Sequence, residues 1–284
     1  MDGFIFINKE AGLTSRDVCD IVGKTLHTKK VGHSGTLDPF ATGLLIVSVG
    51  KATKSGTFLD DFDKKYVATL KLGEETDSLD LTGKVIKTAP IRKYTKQEIE
   101  EVLNSFLGAS KQLPPMTSAI HVNGKKLYKL AHQGIEVDRP TRDIFIHDIK
   151  LISYENDLIT FEAHVSKGTY IRVLGKDIAE KLGTCGHLVS LNRTAIGPFN
   201  VEESISLKEV NEENGKSIYS VLSKVADVIT YLDDKIKDVK DGKILTIECD
   251  TKRSKVMVVD LNNNPIAMYT RDSENKFVFR RGLF

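Results

Sequence analysis

The densest run of potential chemistry in this 284-residue chain is Lys30-Val31-Gly32-His33-Ser34-Gly35-Thr36-Leu37-Asp38-Pro39-Phe40-Ala41-Thr42-Gly43-Leu44-Leu45. It holds three glycines, one proline and a single carboxylate, that of Asp38. Glycine permits tight turns and close approach of a ligand to the backbone. Pro39 fixes its own φ and pushes Asp38 toward an extended conformation. Such a loop could hold one carboxylate rigidly at the mouth of a cleft, and a carboxylate so held can act as a nucleophile. The same residues also read as an Asp-Pro turn that starts a strand, and composition does not separate the two readings.

Other chemistries find no matching pattern. Gly23-Lys24-Thr25 looks like the end of a phosphate-binding loop, but the position that needs the first glycine holds Val18. Gly32-His33-Ser34-Gly35 resembles a nucleophile elbow, yet the closing position is Thr36. No GxGxxG follows a strand, and the seven histidines lack HExxH or other metal-ligand spacing. Nucleotide hydrolysis, serine-hydrolase chemistry and zinc catalysis are therefore unsupported.

The elements that must position Asp38 follow from periodicity. Gly3 to Ile7 reads as a buried strand. Thr14 or Ser15 can cap a helix with Val18, Ile21, Val22 and Leu26 on one stripe. Leu44 to Val49 is a short apolar strand, and Lys65 to Leu72 alternates Tyr66, Ala68, Leu70 and Leu72 on one face. Thr95 and Glu98 form a capping box for a helix through Phe106. Arg142 to Tyr154 and Leu158 to Val165 read as a hairpin, Tyr170 to Leu182 as a helix, and Ser217 to Leu232 as another. Strands and helices mix without a βαβ rhythm, which points to an α+β fold.

Composition bounds the rest. Lys plus Arg number 41 against 39 Asp plus Glu, so any nucleic-acid site must come from local charge patterning. Three scattered cysteines exclude a disulfide framework and point to a reducing compartment. The first residues read as a strand and not as a signal peptide, and no apolar run is long enough to span a membrane. A soluble, cytoplasmic protein with no membrane partner is expected, and the lack of a long apolar surface stripe predicts a monomer. Residues 235–284 carry 11 Lys or Arg and 7 Asp or Glu, with short strands at close spacing. This predicts two domains, 1–234 and a small all-β module at 235–284.

The residue strings, taken together, resemble the TruB family of tRNA pseudouridine synthases, in its standalone bacterial form. The likeness runs through Gly12-Leu13-Thr14-Ser15, Gly32 to Leu45, Gly50-Lys51-Ala52-Thr53-Lys54 and Lys65-Tyr66. It continues through Gly73, Thr76-Asp77, Asp80, Gly83 and Gln112-Leu113-Pro114-Pro115-Met116-Thr117-Ser118-Ala119. Ser166-Lys167-Gly168-Thr169-Tyr170-Ile171-Arg172 and Leu191-x-Arg193-Thr194-x-x-Gly197-x-Phe199 complete the set. Glu10, Ser78, His121 and His132 depart from the family pattern, and none of these touches the central aspartate.

The resemblance implies the pseudouridine synthase fold: a mixed, largely antiparallel sheet flanked by helices, with a PUA-like C-terminal RNA-binding module. It implies isomerisation of uridine 55 in the T-loop of tRNA, with no cofactor and no metal. Asp38, Tyr66 and Arg172 are implied as catalytic. Arg172 would favour the ionised aspartate, and Tyr66 would stack on the base and help remove the C5 proton. His33, Gly35, Thr36, Leu37, Tyr170, Leu191 and Lys167 are implied in substrate binding. His33 would fill the gap left when the target base flips out of its stack. Each has a plainer alternative: Tyr66 and Leu191 as core, Arg172 and Lys167 as solvated charges, His33 as a loop-ordering residue. Lys30, Lys54, Lys65, Lys125, Arg142 and Arg193 are candidates for backbone phosphates. A segment of about 112–142 is implied as an RNA-binding insertion, expected to be mobile without RNA. The tRNA elbow is the implied partner, with the C-terminal module reaching the acceptor stem. The competing class is a tRNA-folding chaperone that keeps the loop as a relic. Intact Asp38, Tyr66 and Arg172 favour the enzyme.

Overall fold

Local hydrogen bonding starts the first helix where the sequence places it. Thr14 Oγ1 accepts from Asp17 N at 3.0 Å, and Asp17 accepts from Thr14 N at 2.8 Å. This reciprocal box opens the helix Ser15–Thr25, which buries Val18, Cys19 and Val22. A computed structural model describes residues 1–116, 121–122, 125–126, 137–247, 251 and 253–284. These residues form two compact units: 1–38 with 44–61 and 198–284, and 39–43 with 62–197.

In the first unit, the strand Gly3–Lys9 runs between Lys216–Ser217 and the 44–49 part of Thr42–Val49. Val31–Ser34 pairs antiparallel with the far side of that strand, from Val31 opposite Val49 to Ser34 opposite Ile46. Phe4, Ile5, Ile7, Leu44, Leu45 and Ile46 are fully buried there.

The same unit holds a five-stranded sheet, in the order Asp227–Thr230, Lys255–Val259, Pro265–Ser273, Lys276–Gly282 and Leu245–Thr246. Its first pair is parallel and the others antiparallel. The helix Asp233–Lys240 closes its core through Ile236 and Val239 against Val256, Val258, Tyr269 and Phe277. The expected helix Ser217–Leu232 is therefore corrected. Helix spans only Ile218–Leu222, and Asp227–Thr230 is a strand drawn into this sheet ahead of residue 234. Its pairing with Lys255–Val259 overrides a locally helical pattern.

In the second unit, antiparallel neighbours run in the order Gly186–Ile196, Lys64–Leu72, Leu158–Val165, Arg142–Glu155 and Gly108–Gln112. Thr42 and Gly43 pair parallel to Asn192 and Arg193, which makes the sheet mixed. The hairpin between Arg142–Glu155 and Leu158–Val165 turns at Asn156 and Asp157, with φ of 51° and 62°, as a two-residue primed turn requires. Tyr66, Ala68, Leu70 and Leu72 alternate onto the buried face. The helix Ile171–Lys181 packs close to that sheet, because Gly175 leaves room: a Cβ there would stand 2.8 Å from Leu188 Cδ2. The α+β class and the largely antiparallel mixed sheet are as expected. Among the described residues no helix is long and apolar enough to cross a membrane.

Candidate active site

The Asp38 loop, residues 35–41, joins the antiparallel strands Val31–Ser34 and Thr42–Val49. Its turn begins at Gly35, whose φ of +71° suits glycine. Leu37 and Phe40 are buried on either side of Asp38, so apolar side chains pin the loop around its carboxylate. Ser15 reaches the loop from the first helix. Its Oγ donates to Leu37 O at 3.1 Å and accepts from Leu37 N at 2.9 Å. Thr36 is exposed, while His33 and Gly35 are partly buried. Ser34 donates to Gly56 O at 3.0 Å, tying the strand base to the segment that follows Lys54.

On the far side of Asp38 the chain enters the second unit. Gly43, at φ +100°, lies so close to the neighbouring strand that a Cβ would stand 2.3 Å from Arg193 O. Gly43 is in register with Arg193, and Arg193 with Tyr66, so one row crosses three strands. Thr42 Oγ1 is 3.5 Å from Leu191 O. Tyr66 and Leu191, at 8% and 5% exposure, therefore lie on adjacent strands beside the end of the loop.

Arg172 stands in the first turn of the helix Ile171–Lys181 and is 3% exposed, which excludes a solvated surface role. Its Nη1 donates to Ser78 O at 2.7 Å and lies 3.6 Å from Asp80 Oδ2. Asp80 is itself buried and accepts from Ser78 Oγ at 2.8 Å and from Thr82 N at 2.9 Å. A buried guanidinium needs such partners. Asp80 appeared in the sequence only as a family letter, with no role attached. Gln112 is the other omission. Its amide clamps Tyr170, donating to Tyr170 O at 3.0 Å and accepting from Tyr170 N at 2.7 Å. Its place at the head of the Gln112-Leu113-Pro114-Pro115 string was the available signal.

The phosphate candidates divide. Lys30, Lys65, Arg142 and Lys167 are exposed. Lys167 precedes Gly168, where an added Cβ would stand 3.7 Å from Arg142 Nη1, so the Arg142 guanidinium lies beside the backbone that follows Lys167. Lys54 is partly buried, and its Nζ donates to Phe284 O at 2.6 Å. Arg193 is corrected: at 1% exposure it lies within the sheet and cannot reach a phosphate. The Lys125 side chain and His132 lie outside the described residues, as do the side chain of His121 and most of the segment 117–136. Among the described residues no three His, Cys, Asp or Glu side chains are grouped to hold a metal ion.

The fold is that of the pseudouridine synthases, a class of isomerases. A chain of the crystallised Cbf5–Nop10–Gar1 complex matches with a TM-score of 0.76 at 24% identity, over 99% of this chain and 85% of that one. A chain of an H/ACA RNP bound to a substrate RNA containing 2′-deoxyuridine matches at 0.73 and 21%, again over 99% and 85%. The family model of the TruB pseudouridylate synthase N-terminal domain covers residues 23–171, and that of the tRNA pseudouridylate synthase B C-terminal domain covers 172–239. This chain belongs to the TruB family. The tRNA pseudouridine synthase B of Geobacter sulfurreducens is 45% identical over 82% of this chain and 77% of its own length. That of Hydrogenovibrio crunogenus is 46% identical over 74% and 69%. That of Bacillus cereus strain ATCC 10987 is 40% identical over 95% and 92%.

Proposed function

We propose that this chain isomerises uridine 55 in the T-loop of tRNA to pseudouridine, as a cytoplasmic monomer that needs neither cofactor nor metal. Family membership supports the reaction, and the relatives' names support tRNA as the substrate. The observation that carries the residue assignment is the row Gly43, Arg193, Tyr66, which anchors the end of the Asp38 loop beside a buried tyrosine.

The reaction breaks the bond between C1′ and N1, turns the uracil, and joins C5 to C1′. The proton lost from C5 is balanced by one gained at N1, so no electrons or groups are exchanged with another reactant. Asp38 acts at the ribose, by attack on C1′ or by removing a ribose proton. Arg172 supplies the positive charge that complements it. Tyr66 stacks on the base and assists loss of the C5 proton. Tyr170 and Leu191 line the uracil pocket, and His33 fills the place the flipped base leaves. Lys30, Lys54, Lys65, Lys125, Arg142 and Lys167 hold phosphates. The segment about 112–142 closes on the T-arm, and residues 235–284 form an RNA-binding module that reaches the acceptor stem.

Site mapping tests this directly. Purified protein is incubated with an unmodified tRNA transcript, and pseudouridine is located by carbodiimide-dependent reverse-transcription stops. One T-loop stop, absent with Asp38→Asn, is expected. No stop, with tight tRNA binding by both proteins, would overturn the assignment in favour of an RNA chaperone.

A further inference from the structure

The carboxylate of Asp38 is useful only if its loop holds one shape, because reacting groups must be placed within a fraction of an ångström. Leu37 and Phe40 supply apolar packing around the loop. Packing restrains a side chain's volume more than it restrains the orientation of a peptide plane. One polar side chain fixes a peptide plane next to the carboxylate. Ser15, 2% exposed, makes two hydrogen bonds to the same residue, Leu37, one to its carbonyl and one from its amide. Leu37 immediately precedes Asp38. A hydroxyl that both donates to and accepts from one backbone residue defines the orientation of the peptide groups on both sides of that residue. The second of these leads into Asp38.

The support behind Ser15 is rigid. Ser15 is the first residue of the helix Ser15–Thr25, and its backbone is set by the capping box of Thr14 and Asp17. The turn before it is closed by Lys9, fully buried, whose Nζ donates to Glu10 O at 2.9 Å and Leu13 O at 2.8 Å. The strand Gly3–Lys9, the cap and the helix thus form a fixed base from which Ser15 holds a loop 22 residues away in sequence.

We propose that Ser15 is a positioning residue for Asp38: its hydroxyl fixes the Leu37 backbone and thereby sets the orientation of the carboxylate for the chemical step. This rests on the reading of Asp38 as the catalytic aspartate. Two properties distinguish the role from simple stabilisation. The loss should fall on kcat and leave tRNA affinity alone, since Ser15 is buried and offers RNA almost no accessible surface. It should also follow the hydroxyl's hydrogen bonds and not the volume of the side chain.

The test compares Ser15→Ala, Ser15→Cys and Ser15→Thr with the wild-type enzyme on a tRNA transcript. It reads kcat, KM, tRNA dissociation constant, thermal midpoint and hydrogen exchange at the Leu37 amide. Cysteine keeps the shape of the side chain with a somewhat larger atom, but sulfur is a weak donor and acceptor, whereas threonine keeps the hydroxyl. The expected result is a kcat at least tenfold lower for Ser15→Ala and Ser15→Cys. KM and dissociation constant should stay within twofold, and the Leu37 amide should exchange faster. Ser15→Thr should recover most of the rate. With an active wild-type enzyme, a Ser15→Cys kcat within twofold of wild type would overturn the inference alone. So would parallel losses in rate and affinity, or a Leu37 amide unprotected in the wild type. A wild-type enzyme that forms no pseudouridine would overturn the functional reading first, and the positioning role of Ser15 with it.

Discussion

Tyr66 packs in the core, and the proposed reaction asks its hydroxyl to serve the chemistry as well. It occupies an inward position of the strand Lys64–Leu72, between Ala163 on one neighbour and Arg193 on the other. Its ring is a packing element, 8% exposed, and a core role alone would explain the aromatic body. The hydroxyl is what the core does not need. Replacing Tyr66 by Phe keeps the ring and the strand register, so the thermal midpoint should move by no more than about 2 °C. Pseudouridine formation should fall by roughly 100-fold or more, the usual share of a proton-transfer group. Turnover within threefold of wild type would return Tyr66 to the core. Arg172 illustrates the reverse case. Its guanidinium is built into the Ser78–Asp80 turn, so its removal strands the buried Asp80 carboxylate, and activity loss in an alanine variant would mix chemistry with folding.

The elements that carry these residues were legible wherever a local rule decides them. The capping boxes at Thr14 and Thr95 and the alternation from Tyr66 to Leu72 are properties of a few adjacent letters, and each element starts within two residues of where those letters place it. The segment after Leu222 departs from its helical pattern because helix and strand patterns overlap over so short a stretch, and only the parallel partner Lys255–Val259 decides it. Arg193 departs from the expectation of a surface cation for a related reason. Its charge is visible in the sequence, but its burial depends on the register with Tyr66 and Gly43. The helix that carries Arg172 also hides a titration. Burial pushes the Asp177 carboxyl up to about 6, against the pull of Lys176 and with a smaller push from Glu180. A raised acid pKa means that the folded helix prefers the protonated form. The stability this confers is complete below the ordinary value of 3.8 and declines as pH rises through about 6. Asp177→Asn should therefore gain thermal midpoint relative to wild type between pH 5 and pH 8, in paired melting curves. A constant difference across that range would show that Asp177 ionises in the fold without cost.

For the whole molecule, charge decides how RNA is held. Lys plus Arg exceed Asp plus Glu by only two, so no general positive field draws a polyanion to this surface. Affinity must come from a few placed contacts, each releasing counterions as it meets a phosphate. Among the described phosphate candidates, the exposed cations are Lys30 in the first unit and Lys65, Arg142 and Lys167 in the second. If each of the four engages one phosphate, together they contribute about −3 to the slope of log affinity against log salt. Single alanine variants at Lys167 or Arg142 should reduce the magnitude of the measured slope by about 0.7–0.9 and weaken binding at low salt more than at high salt. Arg193 supplies the internal contrast. It carries the same charge but is enclosed by strands, so Arg193→Gln should lower stability and leave the slope unchanged. Filter binding of tRNA across a potassium chloride series reads both effects. A slope unmoved by removing Lys167 and Arg142 would take the RNA path off the face beside the Arg172 helix. An altered slope for Arg193→Gln would mean that the sheet opens when RNA binds.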